Sequence, residues 1–392
     1  MRLLILSPDA YSIFFPRSSF VFGGIEVETG YYSRGLAKDH GVDVTVVTRD
    51  QGHKARRIDH VNVIPHPLLK GPGYWDMRRS ILSRIHHRIS GERQWTANDF
   101  YAKEKPDVAY VQGMAPWTLD LARYCQQTKT PFLFRIAHDM DLGGEYMTDA
   151  SMIEWAGFDL VAAREILDTA TQILVQTPAQ MEMLEGRYNR KGLLLLNPVN
   201  TGKSPEQISK VFDVLWIGKS ASSKRPEFYL ELAEQLPHRS FCMVLNKADL
   251  SHWDRLTAAM PDNIKVIEMV SFPEVSILFG KSRIFVNTSG SEGFANTFLQ
   301  AASHGVPILS MNCDPNQMLS AHGAGVLTGP KIADLALHME HLLSKSNIYS
   351  TFSAAARLYV HDYHCARAIV SQFNELLKTI MSSAERQNPF SK

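Results

Sequence analysis

Short, continuously apolar runs alternate along the chain with longer segments in which apolar residues recur every three or four positions. The first run is Leu3–Leu6, and a valine-rich segment, Val42–Thr48, follows a segment with Ile25, Tyr32 and Leu36 on one helical face. A short run without polar positions is typical of a strand buried on both faces, and a period near 3.6 indicates a helix. The first fifty residues therefore predict a strand–helix–strand unit with parallel strands.

The same alternation continues almost to the end of the chain. Further strands are predicted at 107–111, 131–136, 172–176, 193–196, 213–218, 241–245, 264–267, 284–287 and 306–310. Asn197–Asn200 and a polar stretch to about Lys210 interrupt the pattern. We place a linker there, which gives two α/β domains over 1–198 and 199–365. A final helix in 366–392 is expected to cross back to the amino-terminal domain.

Composition excludes several classes of protein. The chain has 392 residues, 45% hydrophobic and 21% charged, which suits a two-domain globular protein and neither a disordered chain nor a coiled coil. Its 41 basic and 40 acidic residues give a net charge of +1, whereas a dedicated nucleic-acid binder is usually far more basic. We therefore expect no nucleic-acid partner.

Cysteine usage and hydropathy indicate the compartment. The four cysteines lie far apart without a C-x-x-C pair, so neither a zinc knuckle nor a disulfide framework is predicted. The first residues lack a signal-peptide pattern, and no apolar run approaches 18 residues. The expectation is a cytoplasmic protein.

The segment 75–95 departs from the ordinary pattern. It carries Arg78, Arg79, Arg84, Arg88 and Arg93 between Trp75 and Trp95. Clustered arginines with flanking tryptophans suit anionic lipid headgroups or a lipid-diphosphate acceptor, and either would give a peripheral membrane contact. The alternative is an exposed, solvated helix.

Two loops in the second half carry candidate chemistry. In the first, the strand ending at Gly218 is followed by Lys219 and Lys224, and a helix starts at Pro226. Cations beside a helix N-terminus form an anion site, although a solvated loop with ordinary lysines has the same spacing.

The second loop runs from Ser289 to a helix that starts near Asn296. Its acid, Glu292, could accept hydrogen bonds from sugar hydroxyls, and the amides near Asn296 and Thr297 could hold a phosphate. Alternatively, Glu292 is a helix N-terminal acid favoured by the dipole.

Together the two loops resemble the carboxyl-terminal domain of the family-4 retaining glycosyltransferases, in the glycogen-synthase and mannosyltransferase-like superfamily. The amino-terminal half is similar through a Gly23-Gly24 loop, a strand start at 105–107, the pair His138-Asp139 and the segment 197–199. The resemblance implies a GT-B fold: two α/β, Rossmann-like domains whose parallel sheets face each other across a cleft. It assigns the acceptor to 1–198 and the nucleotide-sugar donor to 199–365.

The resemblance also implies roles for individual residues. Lys219 and Lys224 would stabilise the leaving diphosphate, Glu292 would position the donor sugar, and His138 would lie near the transferred sugar or else cap a strand end. The expected donor-binding residues are Gly218, Val270, Gly293, Phe294, Asn296, Thr297 and Gln300. The acceptor or phosphate loop would contain Gly23, Gly24 and Glu26, where a simple tight turn is the alternative for the glycine pair.

Two positions depart from the family pattern. Gln300 stands where the family has a second glutamate that contacts a ribose, so a charge-assisted hydrogen bond is lost. Lys219 stands where arginine is frequent, so a point charge replaces a bidentate fork.

The expected function is a retaining, metal-independent hexosyltransferase that acts in polysaccharide or cell-envelope glycan synthesis. It would move a hexose-type sugar from a nucleoside-diphosphate sugar to a glycan or lipid-linked glycan, with no separate cofactor. Asp139 and Asp141 have the spacing of a metal motif, but they follow the His138 strand and we assign no metal to them.

Other functions remain alternatives at this stage. A non-catalytic nucleotide-sugar or glycan-binding module is supported by Gln300, and a GT-B nucleotide-sugar epimerase would share the fold. A dinucleotide oxidoreductase is disfavoured because no G-x-G-x-x-G follows the first strand.

Overall fold

The computed structural model describes residues 1–15, 22–67, 69, 97–143, 160–201 and 208–387. The arginine-rich segment 75–95 lies outside the described residues, so the proposed membrane contact there stays a prediction. No helix in the described part of the chain is long and apolar enough to cross a membrane.

The chain divides into two compact units. The first unit contains Met1–Phe15, Ile25–Leu196 and Arg367–Lys392, and the second contains Pro16–Gly24 and Asn197–Ala366. The chain therefore passes between the units several times.

An eight-stranded sheet forms the centre of the first unit. Its strands are β1 (Arg2–Leu6), β2 (Asp43–Arg49), β3 (Arg56–Ile58), β4 (Val61–His66), β5 (Val108–Gln112), β6 (Phe132–Arg135), β7 (Gln172–Val175) and β8 (Gly192–Leu194). Their order is β3-β4-β2-β1-β5-β6-β7-β8, and every pair is parallel except β3 with β4. The central strands are buried along almost their whole length, as their apolar runs predict.

Helices of the first unit connect these strands. They are α1 (Tyr11–Phe14), α2 (Gly24–Asp39), α3 (Ala97–Glu104), α4 (Pro116–Thr128), α5 (Met140–Gly143), α6 (Leu160–Thr169) and α7 (Pro178–Tyr188). Both α4 and α7 begin at a proline, where the missing N–H costs nothing, and Thr177 caps α7 by accepting from the Gln180 N–H.

The second unit repeats the architecture with six parallel strands. They are β9 (Phe212–Lys219), β10 (Phe241–Asn246), β11 (Ile264–Ile267), β12 (Ser282–Asn287), β13 (Ile308–Ser310) and β14 (Gly325–Leu327), in the order β11-β10-β9-β12-β13-β14. The helices are α8 (Glu227–Gln235), α9 (Leu250–Ala258), α10 (Phe272–Lys281), α11 (Asn296–Ser303), α12 (Ile332–Ser344) and α13 (Ser346–His364). The prediction of two parallel-sheet α/β domains is confirmed.

The last helix, α14 (Ala366–Gln387), belongs to the first unit from Arg367 onward. Phe373 on this helix meets the rings of Tyr32 and Tyr110 at centroid distances of 5.0 and 5.1 Å. All three side chains are buried, so the carboxyl-terminal segment completes the core of the first unit.

Three strands were not predicted from the sequence. β3 is a short edge strand with two arginines, and β14 is a three-residue edge strand at the other sheet's end. β4 lies between β3 and β2, contains Pro65, and alternates buried with half-buried residues instead of forming a continuous apolar run. Edge strands are half solvated, so they lack the continuous apolar run that marks the central strands.

Candidate active site

The first candidate loop of the second unit is anchored at Ser220, directly after β9. Ser220 is fully buried, and its hydroxyl accepts hydrogen bonds from the N–H groups of Ala248 and Asp249 at 3.0 and 3.2 Å. The Ser220 N–H donates to the Asn246 carbonyl at 2.9 Å. These bonds tie the end of β9 to the segment that follows β10, so Gly218 and Lys219 lie at the carboxyl edge of the sheet.

A short 3₁₀ turn, Ser222–Lys224, then brings Lys224 against the end of β12. The Thr288 hydroxyl donates to the Lys224 carbonyl at 2.7 Å, and the buried indole N–H of Trp216 donates to that hydroxyl at 3.0 Å. The Gly290 N–H donates to the Ser223 carbonyl at 3.0 Å. Hydrogen bonds from the segment that follows β12, supported by Trp216 of β9, therefore hold the backbone beside Lys224 in place.

Lys224 and Glu292 form a direct ion pair. Lys224 Nζ lies 2.5 Å from Glu292 Oε1, and the side chains are 30% and 9% exposed. The Ser289 hydroxyl donates to the same oxygen at 2.6 Å. The two residues predicted to act on opposite ends of a donor are thus brought together, and Glu292 does more than complement a helix dipole.

Helix α11 begins at Asn296, as predicted. Its N-cap residue, Ala295, makes no side-chain capping bond. The backbone N–H groups of the first turn, which include that of Thr297, therefore receive no hydrogen bond acceptor from the N-cap side chain. The N–H groups at a helix N-terminus point beyond the helix end. Gln300 lies one turn later, partly buried, and its carbonyl accepts from His304 Nδ1 at 2.8 Å.

The glycine pair lies close to this helix start. Gly24 groups with the second unit, and a Cβ built on it would lie 2.7 Å from Asn296 Nδ2. A side chain at position 24 would displace the Asn296 amide, whose Oδ1 accepts from Asn197 Nδ2 at 3.2 Å. Close approach, rather than a turn conformation, explains the glycine here.

The remaining donor-site candidates surround the same loops. Phe22 packs edge-on against Phe272, at 5.8 Å between centroids, so the segment before the glycine pair touches the start of α10. Val270 is partly buried just before that helix. Gly293 and Phe294 are buried, and the Phe294 ring lies 5.1 Å from that of His364.

Lys219 stands apart from this network. The residue is exposed, and no side-chain hydrogen bond or ion pair joins it to the other described residues. Lys219 is the last residue of β9 and lies in register with Asn246 on β10. Its contact with a diphosphate stays a prediction.

In the first unit, His138 occupies a tightly held loop after β6. The N–H groups of Ala137 and His138 donate to Asp141 Oδ2 at 2.7 and 3.1 Å, and the Met114 N–H donates to its Oδ1 at 3.2 Å. The Met140 N–H donates to His138 Nδ1 at 3.1 Å, which leaves the proton of the neutral ring on Nε2. His138 therefore offers an oriented N–H donor.

Sequence reasoning missed the residues that hold this loop. Gln176 Nε2 donates to the carbonyls of Ile136 and Ala137 at 2.7 and 3.1 Å, and Gln180 Nε2 donates to Asp139 Oδ1 at 3.0 Å. Asp139 and Asp141 have a metal-like spacing, but both carboxylates serve the protein's own N–H groups.

Helix α2 carries a second missed feature. Glu26 lies in its first turn, and two residues later Glu28 pairs with Arg135 at 3.2 Å, with side chains 3% and 0% exposed. Gln112 Nε2 donates to Glu28 Oε2 at 3.4 Å. A buried ion pair thus joins the glycine-loop helix to the strand that precedes His138.

Comparison with known proteins supports the resemblance to the family-4 glycosyltransferases. A family model for the glycosyl transferase 4-like domain matches residues 23–199, and a model for glycosyl transferases group 1 matches residues 212–345. No curated protein sequence is significantly similar to this chain.

Solved structures share the fold at low sequence identity. Sucrose-phosphate synthase from Thermosynechococcus elongatus is 14% identical, with a TM-score of 0.75 over 98% of this chain and 100% of that one. HepE from Anabaena, solved with UDP and glucose, is 15% identical, with a TM-score of 0.69 over 97% and 100% of the two chains.

A TarM variant from S. aureus, solved with fondaparinux, alpha-GlcNAc-glycerol and UDP, is 10% identical, with a TM-score of 0.69 over 96% and 99%. At these identities the structures establish the fold, and the two family models establish the relationship. The chain belongs to the family-4 glycosyltransferases and has the GT-B fold.

Proposed function

We propose that this glycosyltransferase moves a hexose-type sugar from a nucleoside-diphosphate sugar to a glycan or lipid-linked glycan, with retention of configuration at the anomeric carbon. The observation that carries the proposal is the Lys224–Glu292 pair, which lies in the two loops that lead to α8 and α11. A cation, a carboxylate and a helix N-terminus without a side-chain cap are the groups that a sugar diphosphate needs. The UDP, glucose and alpha-GlcNAc-glycerol bound by the similar structures support the same substrate class.

The diphosphate would bind between the lysine loop and the start of α11. Lys224 and Lys219 would contribute positive charge, and the amides near Asn296 and Thr297 would donate to phosphate oxygens. Gly24 would leave room for close approach at that point. In this proposal the lysines and amides take the charge that develops on the leaving group, so no metal is required for that step.

The sugar would be held by Glu292. Its Oε1 is already engaged by Lys224 and Ser289, which fixes the carboxylate before a ligand arrives. When Lys224 turns to the diphosphate, the carboxylate is released to accept hydrogen bonds from sugar hydroxyls. The buried backbone of Gly293 and Phe294 would support this side of the site.

His138 would act on the transferred sugar through Nε2. The Met140 N–H fixes the neutral tautomer, so the ring would donate to a sugar oxygen rather than abstract a proton. We assign no enzymic base: the acceptor hydroxyl would pass its proton to the departing phosphate oxygen as the new glycosidic bond forms.

Thermal stabilisation by UDP, GDP and ADP and their common sugar conjugates tests the donor site. A ligand that binds the folded state raises the Tm. We expect one nucleotide to raise the Tm of the wild type and to lose this effect in Lys224→Ala. A shift with none of them would overturn the proposal, and binding without turnover on any acceptor would favour the non-catalytic module that Gln300 suggested.

A further inference from the structure

Arg225 adopts a backbone conformation that arginine rarely takes. The residue follows Lys224 and has φ 47° and ψ 52°, in the left-handed region. Glycine occupies this region without a steric penalty, whereas other residues are strained there. Strained residues cluster at binding and catalytic sites, and Arg225 directly follows the candidate donor-site residue Lys224.

The guanidinium of Arg225 lies on the backbone of the Glu292 loop. A Cβ built on Gly290 would lie 2.9 Å from Arg225 Nη2 and 3.0 Å from its Cζ and Nε. The absence of a side chain at Gly290 therefore makes room for the guanidinium. Because the Gly290 N–H also donates to the Ser223 carbonyl, the two loops are joined on either side of Arg225.

No described residue accepts a hydrogen bond from this guanidinium or forms an ion pair with it. By contrast, Arg239 makes two bonds to Glu340 at 2.8 and 2.7 Å, and Arg283 donates to the Leu343 carbonyl at 3.0 Å. Arg225 is only partly exposed, yet none of its five N–H donors has an acceptor among the residues that the structure describes.

The local charge balance favours an anionic ligand. Lys219, Lys224 and Arg225 contribute three positive charges, and Glu292 contributes one negative charge. A nucleoside-diphosphate sugar carries about two negative charges, which would neutralise the surplus. The planar guanidinium also matches paired oxygens, whereas the lysines act as point charges.

We propose that Arg225 is a third cation of the donor site and binds a pair of anionic oxygens on the donor. The oxygens belong either to the diphosphate or to the carboxylate of an acidic sugar. This inference rests on the proposed function, because it requires a nucleoside-diphosphate donor at the Lys224–Glu292 loops.

Isothermal titration of the full chain with UDP, UDP-glucose and UDP-glucuronate, and with the GDP and ADP equivalents, tests the proposal on Arg225→Gly. Loss of a charge-assisted bidentate contact should weaken binding roughly tenfold. Weaker binding of the free nucleotide assigns the contact to the diphosphate, and weaker binding of the glucuronate conjugate alone assigns it to a sugar carboxylate. Unchanged affinity for all of them overturns the proposal.

Stability separates this result from a folding defect. Glycine suits φ 47°, so the Tm of unliganded Arg225→Gly should equal or exceed that of the wild type even though affinity falls. Arg225→Lys should recover part of the affinity. Lys129→Gly is the matched control: Lys129 has φ 58° at the end of α4 in the first unit, and its replacement should leave affinity unchanged.

Failure of this inference can be distinguished from failure of the proposed function. If the wild type binds a nucleotide and Lys224→Ala does not, the donor site stands, and an unchanged Arg225→Gly removes Arg225 from it. If the wild type binds none of the nucleotides, both proposals fail.

Discussion

Glu292 Oε1 accepts hydrogen bonds from both Lys224 Nζ, at 2.5 Å, and the Ser289 hydroxyl, at 2.6 Å. The cation proposed for the diphosphate and the carboxylate proposed for the sugar are thus partners before any ligand binds. In the proposed mechanism, donor binding replaces this contact with one to each end of the donor. Breaking the pair is therefore part of the cost of binding, which the contacts to the donor must exceed.

Glu292→Gln should separate nucleotide binding from catalysis. The variant releases Lys224 from its counter-charge, so we expect affinity for the free nucleotide to stay equal or increase. Sugar transfer should fall by about 10²–10³-fold, as when an electrostatic contact to the reacting group is lost. Titration calorimetry and nucleotide release measure the two quantities.

The control for this variant is Glu375→Gln, which removes an exposed Lys378 pair on α14 and should change neither quantity. Lost nucleotide binding in Glu292→Gln would contradict the role assigned to the carboxylate.

Asp141→Asn should loosen the loop that orients His138. Asp141 is buried and accepts from three backbone N–H groups, and an amide nitrogen would face at least one of those donors. Leaving buried donors unsatisfied costs on the order of 3 kcal/mol of unfolding free energy. Urea unfolding of the variant should show this loss, and transfer should fall about tenfold.

Asp139→Asn is the matched comparison, because Asp139 Oδ1 accepts from the Gln180 amide and that oxygen survives the substitution. Equal losses of unfolding free energy and of transfer in the two variants would show that Asp141 stabilises the loop no more than Asp139 does.

Glu28→Ala should destabilise the first unit strongly. The substitution removes the carboxylate that pairs with the fully buried Arg135, and the loss of one partner of a buried ion pair costs about 3–5 kcal/mol. The double variant Glu28→Leu with Arg135→Met should recover much of that loss, since an apolar pair removes both charges. Urea unfolding measures the three values.

Glu165→Ala provides the comparison for a surface pair. Arg123 and Glu165 are 47% and 30% exposed, so their separation should cost at most about 1 kcal/mol. A similar cost for Glu28→Ala would contradict the importance of the buried pair.

Stability of the second unit should depend on pH through His304. Burial lowers the pKa of His304, the bond to the Gln300 carbonyl raises it, and Lys210 and Arg357 lower it further, with a net shift below the usual value of about 6.5. The unfolded chain then binds a proton more readily than the folded one. The stabilisation is complete above about pH 6.5 and is lost as pH falls through the lower folded pKa.

His304→Gln should therefore lose less stability than the wild type between pH 7.5 and pH 5. The other histidines are common to both proteins and cancel in the comparison. Tm measured across this interval gives the difference, and parallel curves would contradict the linkage.

The sequence predicted the central strands well, because burial on both faces demands continuous apolar runs such as Leu3–Leu6. It missed the edge strands Arg56–Ile58 and Gly325–Leu327, whose residues meet no such demand. Parallel strands place their following loops at one edge, so the lysine loop and the Glu292 loop could be located from their order alone.

The contacts inside the site could not be predicted in the same way. Lys224 and Glu292 are far apart in the sequence, and spacing did not show that they pair directly. Ser220, Thr288 and Gln176 position the loops through hydrogen bonds to backbone groups, and in the sequence they are ordinary polar residues at or just beyond the ends of predicted strands. Only the tertiary structure shows that these residues hold the loops of the site in place.

The most direct test of the account is turnover of nucleoside-diphosphate sugars. The wild type would be incubated with UDP-, GDP- and ADP-hexoses and a panel of glycan and lipid-linked acceptors, with nucleotide release and the anomeric coupling of the product followed by NMR. We predict acceptor-dependent release of one nucleoside diphosphate, a product with the donor's anomeric configuration, and loss of both in Lys224→Ala. An inverted product, or release that is unaffected by Lys224→Ala, would contradict it.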